Sequence, residues 1–203
     1  MTRLLLAGAL IVLIGLPAAA QNAPEGTPTR IRGTVERLDG QNLMVKSREG
    51  PEMTIVLAPN FTVAAVVKKS LDDIKAGDFV GAASTRGTDG KLHALEVLIF
   101  PEAMRGTGEG ERPWDLTPDS LMTNATVSGT SSAPQGQVLK VTYKGGESEI
   151  TVTPNTPIVT FAPGDASLLK PGAAVIVFAL KKPDGTLTAS RVTAEKDGVK
   201  PPM

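Results

Sequence analysis

An internal repeat constrains this chain more than anything else in it. Across residues 55–97, adding 95 to the residue number lands on the same amino acid at eleven of forty-three ungapped positions, where unrelated sequences of ordinary composition would give roughly three. Pro59 and Asn60 become Pro154 and Asn155, and Lys75 and Gly77 become Lys170 and Gly172. Asp89, Gly90, Leu92, Ala94 and Val97 become Asp184, Gly185, Leu187, Ala189 and Val192, with Ile55/Ile150 and Val80/Val175 completing the set. The sequence thus reads as one small unit written twice, at residues 29–100 and 124–196, around an unrepeated segment, 101–123. Upstream, Gly33, Thr34, Leu43 and Val45 match Gly129, Thr130, Leu139 and Val141 at an offset of 96. That shift places a one-residue deletion of the second copy at the Glu49-Gly50-Pro51 turn, where a length change is best tolerated.

Each unit reads as short strands separated by turns. Residues 31–38 and 43–47 flank Asp39-Gly40, a tight-hairpin signature. A third strand, 53–57, is expected to end at Pro59-Asn60. Ser70 to Gly77 resembles one helical turn, with Ser70 as cap, Asp73 reaching back to it and Gly77 as the stop. Asp165 and Gly172 hold those places in the second unit. Two more strands, 79–85 and 92–99, are joined around Asp89-Gly90. Five short strands with a helical turn after the third predict an all-β chain of two tandem small barrels of the oligonucleotide/oligosaccharide-binding (OB) type, joined by an ordered insert, with a plain meander sandwich as the competing fold. Over both units the sequence resembles an exported bacterial β-barrel family of unknown function. The residues that carry the likeness are Gly33-Thr34-Val35, the run from Leu71 to Val80, and Asp89-Gly90-Lys91-Leu92-His93-Ala94. The resemblance implies the barrel architecture and no activity.

Alternation along the fourth strand separates core from surface. Val80, Ala82 and Ser84 correspond to Val175, Val177 and Ala179 on the expected core face. On the other face Gly81, Ala83 and Thr85 become Ile176, Phe178 and Leu180. A surface carrying three such large apolar side chains is expected to be covered, by the first barrel or by the insert.

The first twenty residues follow a different logic. Arg3 supplies a positive start, residues 4–16 an apolar stretch, and Ala18-Ala19-Ala20 a small-residue cleavage pattern, the form of a secretory signal peptide. Thirteen residues before Pro17 fall short of the roughly 20 needed to cross a bilayer. The expected product is exported to the periplasm or extracellular space, with no integral membrane segment. Loss of Arg3 takes the formal charge from zero to minus one, which gives no basic groove for nucleic acid and no polybasic surface for anionic lipid. With no cysteine in the chain, each unit depends on its hydrophobic core alone.

Little in the sequence carries chemistry. The one histidine, His93, lies between core residues Leu92 and Ala94 and so points outward. Asp72-Asp73 is explained by its place in the first helical turn. No nucleophile elbow, phosphate loop, calcium loop or metalloprotease helix occurs, and no cofactor is expected. The insert is the exception, because it holds the only tryptophan, Trp114, with Arg105 and Arg112 among five acids. A merely flexible linker needs no such anchoring side chain. Trp114 is expected to staple the insert between the barrels, with a role in ligand contact as the alternative. The expected function is a non-enzymatic binding or scaffolding module of the cell envelope that engages an envelope protein or polymer through Trp114, Arg105 and Arg112. The alternative is a periplasmic cation-binding protein using Glu109, Glu111 and Asp115 with His93.

Overall fold

The computed structural model describes residues 26–201. Alternating apolar and polar residues between glycine turns give, among these residues, strands β1 (Thr27–Asp39), β2 (Asn42–Ser47), β3 (Glu52–Lys69), β4 (Phe79–Arg86), β5 (Leu92–Ile99) and β6 (Gly110–Pro113). The second half supplies β7 (Leu121–Ala133), β8 (Gly136–Tyr143), β9 (Gly146–Val152), β10 (Ile158–Gly164), β11 (Ala174–Lys181) and β12 (Leu187–Ala194). The expected helical turns are short 3-10 segments, Leu71–Asp73 and Ala166–Leu168. The Asp73 carboxylate accepts the Ser70 amide and hydroxyl, each at 2.8 Å, and Asp165 accepts the Ser167 amide at 2.8 Å. Gly77 and Gly172 end these turns at φ of 93° and 88°, a region open to glycine and strained for most side chains. Among the described residues no helix is long and apolar enough to cross a membrane. The expected signal peptide, residues 1–20, lies outside the described residues.

The all-β expectation holds, but the strands do not close unit by unit. A closed five-stranded barrel forms from β1, β2 and β3 of the first half with β12 and β11 of the second, in the cycle β1–β2–β3–β12–β11. Its interior contains Val35, Leu43, Val45, Ile55, Val177 and Val192. The remaining long strands pair in a second cycle, β7–β8–β9–β5–β4. A separate core of Val80, Ala82, Val97, Val127, Leu139 and Ile150 lies inside it. Each cycle therefore takes three strands from one half and two from the other. Neither 29–100 nor 124–196 closes on itself.

The physical reason lies in β3. Pro59 and Asn60 were expected to end it, yet it runs on to Lys69 as an 18-residue strand, an extended reach of about 60 Å. Pro59 falls in an irregularity between the pairs Leu57↔Ala189 and Thr62↔Arg191, where a missing amide proton costs no ladder bond. The continuing strand carries the chain out of the first barrel, so β4 and β5 settle beside β7 and β9. β10 leads back the other way and pairs antiparallel with the far half of β3. In the second half the same Pro154-Asn155 cue does interrupt the chain, between β9 and β10.

The two halves use the same registers. Ile55↔Leu187 and Val63↔Val192 are matched by Leu92↔Ile150 and Val97↔Ile158, each residue having its counterpart 95 positions away. In β3–β10 the central pair is Val66↔Phe161, two residues that are themselves 95 apart. A residue paired with its own counterpart marks a pseudo-two-fold axis. The structure corrects one sequence alignment. Gly33 pairs with Val175 as Ala125 pairs with Val80, so Gly33 corresponds to Ala125 and not to Gly129. The change of offset, from 92 in β1/β7 to 96 in β2/β8, is taken up by the longer β7–β8 hairpin around Ala133↔Gly136.

Cleavage within the insert provides a direct check on the exchange. A protease site placed at the exposed Gly106–Gly108 run separates two fragments that each lack strands needed by their strand cycle. The nicked chain is expected to elute with the intact protein under native conditions and to resolve into two fragments only in denaturant. Two independently folded, separable fragments would contradict the pairing.

Candidate functional site

On β4 and β11 the inward residues fill the cores, with Val80, Ala82, Ser84, Val175, Val177 and Ala179 all buried. The alternate residues face a cavity of about 320 Å³ between the two strand cycles. Gly81 and Ala83 stand on one wall, and their counterparts Ile176 and Phe178 on the other. Glu96 and Leu98 of β5 face the same space as their counterparts Arg191 and Thr193 of β12. Arg30 of β1 and Met122 of β7, equivalent at the offset of 92, also line it. The cavity thus straddles the pseudo-two-fold axis, and Phe161 from the axial pair joins its lining. Gly81 is required there, since a Cβ would meet Asn124 Oδ1 at 2.9 Å and the Phe100 ring at 3.0 Å.

The insert closes one side. Strand β6 pairs with β7, and the loop between them folds around buried Ser120, whose hydroxyl donates to the Trp114 and Thr117 carbonyls. This turns Trp114 toward β1, where the Arg30 guanidinium stacks 3.6 Å from its ring centroid. The neighbouring Asp115 carboxylate accepts two bonds from Arg32, at 2.8 and 2.9 Å, and pairs with Arg30. Arg48 reaches the Asp115 carbonyl at 3.2 Å. Arg32 is only 5 % exposed, so a counter-charge at this point offsets a burial that would otherwise be costly. The bonds from Arg32 are the main reason that the Asp115 carboxyl is held at about 2, below its ordinary 3.8.

Covering of the β11 outer face is only partial. Ile176 is buried and Leu180 half-buried, but Phe178 remains 61 % exposed at the cavity mouth. Trp114 reaches Arg30 instead of Phe178, and the guanidinium lies between the two rings, 5.5 Å from that of Phe178.

Of the residues expected to bind, Trp114 and Arg112 converge on the cavity. Arg105 does not, being held by Glu102 at 2.6 and 2.7 Å and by the Gly77 carbonyl at 2.9 Å. The four proposed metal ligands are not brought together. Glu109 accepts the Lys144 amide, Glu111 accepts the Thr123 and Ser148 hydroxyls, Asp115 is bound by arginines, and His93 faces Asp89 at 3.0 Å. No group of three or more His, Cys, Asp or Glu suited to a metal occurs among the described residues. Sequence reading missed Arg30, Asn124, Glu96 and Arg191. The last two were accessible by the same comparison that marked Ile176 and Phe178, because Glu96 and Arg191 are counterparts of opposite charge.

The cavity walls suit binding more than proton transfer. Leu98, Phe100, Phe161 and Ile176 supply apolar surface, Arg30, Arg112 and Arg191 the cations, and Glu96 the one carboxylate among the lining residues. Burial lowers the pKa of Arg112. Asn124, 4 % exposed, donates through Nδ2 to the Thr107 carbonyl at 2.9 Å, while its Oδ1 is buried with no hydrogen-bond partner among the described residues.

A family model described as a domain of unknown function (DUF5666) matches residues 124–193, from β7 into β12. That stretch supplies three strands to one cycle and two to the other. No curated protein and no solved structure matches the chain.

Since the Asp115 pKa lies below its ordinary value, the ionised carboxylate contributes fully to insert docking above about pH 4, and its contribution fades as the pH falls toward 2. Asp115→Asn should destabilise the protein by about 1 kcal/mol at neutral pH, a modest figure because the carboxylate is half-exposed and screened. The difference in stability between wild type and variant should shrink between pH 4 and 2, with Trp114 fluorescence reporting the docking. An undiminished difference at pH 2 would reject the assignment.

Proposed function

We propose that this protein is an exported, non-enzymatic binding module of the cell envelope that takes up the apolar part of a ligand in the cleft on the pseudo-two-fold axis. In this reading the two strand cycles are the two OB-like barrels of a duplicated unit, each completed by strands of the other half. The observation that carries the proposal is the convergence of Trp114 and Arg112 from the unrepeated insert with Ile176 and Phe178, the positions where the halves differ most in bulk, on one cavity. Its volume of about 320 Å³ falls in the range of small-molecule sites. Export rests on the pattern of Arg3, the apolar stretch and Ala18-Ala19-Ala20. The single histidine of the chain faces Asp89 outside the cleft lining, which supports binding over acid-base catalysis. The cation-binding alternative has less support, since Glu109, Glu111, Asp115 and His93 are each engaged by separate partners.

Nile red, a neutral apolar dye, tests the cleft without presupposing a ligand. Its emission should rise on mixing with the protein and saturate at one dye per chain. Ala83→Phe, which copies the counterpart Phe178 onto the opposite wall, should plug the cavity and reduce the signal by about tenfold or more, with the melting temperature monitored in parallel. Equal uptake by a folded Ala83→Phe variant would sink the proposal.

A further inference from the structure

We infer that the cleft selects an anionic amphiphile, an apolar chain bearing a carboxylate and a hydrogen-bond donor beside it, as in an N-acyl amino acid. This inference rests on the reading of the cleft as a ligand site and adds the charge and the polar group that the ligand must carry.

The charge follows from which cations already have counter-ions. Arg30 and Arg32 share the single Asp115 carboxylate, which offsets one of the two guanidiniums. Arg112 and Arg191 stand differently. The Arg112 guanidinium donates to the Gly108 carbonyl at 2.7 Å and lies 5.5 Å from the Trp114 ring centroid, with no ion pair among the described residues. Arg191 reaches Met104 Sδ at 3.5 Å and lies 5.8 Å from the Phe161 ring centroid, again with no ion pair among the described residues. Arg112 and Arg191 against one lining carboxylate, Glu96, add to the guanidinium charge that Asp115 does not offset, so positive charge is in excess around the cleft. An oxyanion reduces that excess, whereas a further cation is repelled. A planar guanidinium also matches a carboxylate through paired N–H donors.

The polar group follows from Asn124. Its carboxamide is fixed by the Thr107 bond, and its Oδ1 is buried beside Gly81 with no partner among the described residues. A buried acceptor left unsatisfied is costly, and an N–H or O–H of the ligand removes that cost. The apolar walls accept the chain itself.

Calorimetry on the full protein with N-octanoylglycine, decanoate, decan-1-ol and decyltrimethylammonium decides the matter. N-octanoylglycine should bind several-fold more tightly than decanoate, and decanoate at least about tenfold more tightly than decyltrimethylammonium, as expected for a charge-assisted hydrogen bond. Arg112→Met together with Arg191→Met should bring decanoate down to the level of decanol. Arg191 is exposed, so the single Arg191→Met variant keeps the test available if the double variant fails to fold, and should reduce the charge preference in part. Equal affinity for decanoate and decyltrimethylammonium would overturn the charge assignment, and decanoate binding as well as N-octanoylglycine would overturn the role of Asn124. In both cases Nile red uptake would leave the wider reading standing. Silence from every amphiphile and from Nile red would overturn both.

Discussion

The antiparallel pairing of β3 with β10 is the contact on which the rest of the architecture depends. It is self-complementary, the counterparts of any two paired residues being themselves paired, with Val66↔Phe161 at the centre. Self-complementary contacts of this kind normally relate two subunits, and here both sides belong to one chain. Once β3 is held straight through Pro59 to Lys69, its own β4 and β5 are delivered to the other strand cycle. The same holds for β10, β11 and β12 in reverse. Remove this pairing and each half would have to fold its last two strands back on itself.

The cleft follows from the same geometry. An axis that passes between the two strand cycles brings equivalent positions face to face, so residues 95 apart become neighbours in one cavity. At Ala83/Phe178 one wall recedes while the other advances, and at Gly81/Ile176 the room left by the glycine is taken by Asn124 and the Phe100 ring. The insert then fixes the mouth. It is continuous with the second cycle through β6–β7 and held to the first by Asp115 on Arg30 and Arg32. Because Arg32 is buried and its counter-charge lies on the insert, the loop that shapes the cleft also ties the two cycles together.

Much of the local structure was legible in the sequence. The strand positions, the caps at Ser70 and Asp165 and the core face of Val80, Ala82 and Ser84 follow from alternation and turn chemistry, which act over a few residues. The exchange was not legible, for a specific reason. Ile55 pairs with Leu187, and in an unexchanged barrel it would pair with Leu92; since both are leucines in matching surroundings, the repeat makes the two choices locally indistinguishable. The continuity of β3 decides between them, and the Pro59-Asn60 cue pointed the wrong way because proline is tolerated at a bulge. In the candidate site, Trp114 and Arg112 could be picked out by composition. Arg105 was chosen for its nearness in sequence, whereas the arginines that grip the insert, Arg30 and Arg32, come from a strand more than eighty residues away.

Joining both halves in one chain also determines what kind of site the axis can hold. In an assembly of two identical chains with these registers, the positions of Glu96 and Arg191 would carry the same residue. Two glutamates or two arginines would then share an apolar cavity, and like charges there would repel or lose a proton. Likewise the walls would be two glycines or two isoleucines, giving either a wider void or none. A single chain escapes this constraint, since each counterpart varies independently and one insert need serve only one side. The matched positions are therefore free to preserve the two strand cycles, while the cleft is lined by pairs that have stopped matching and by the insert.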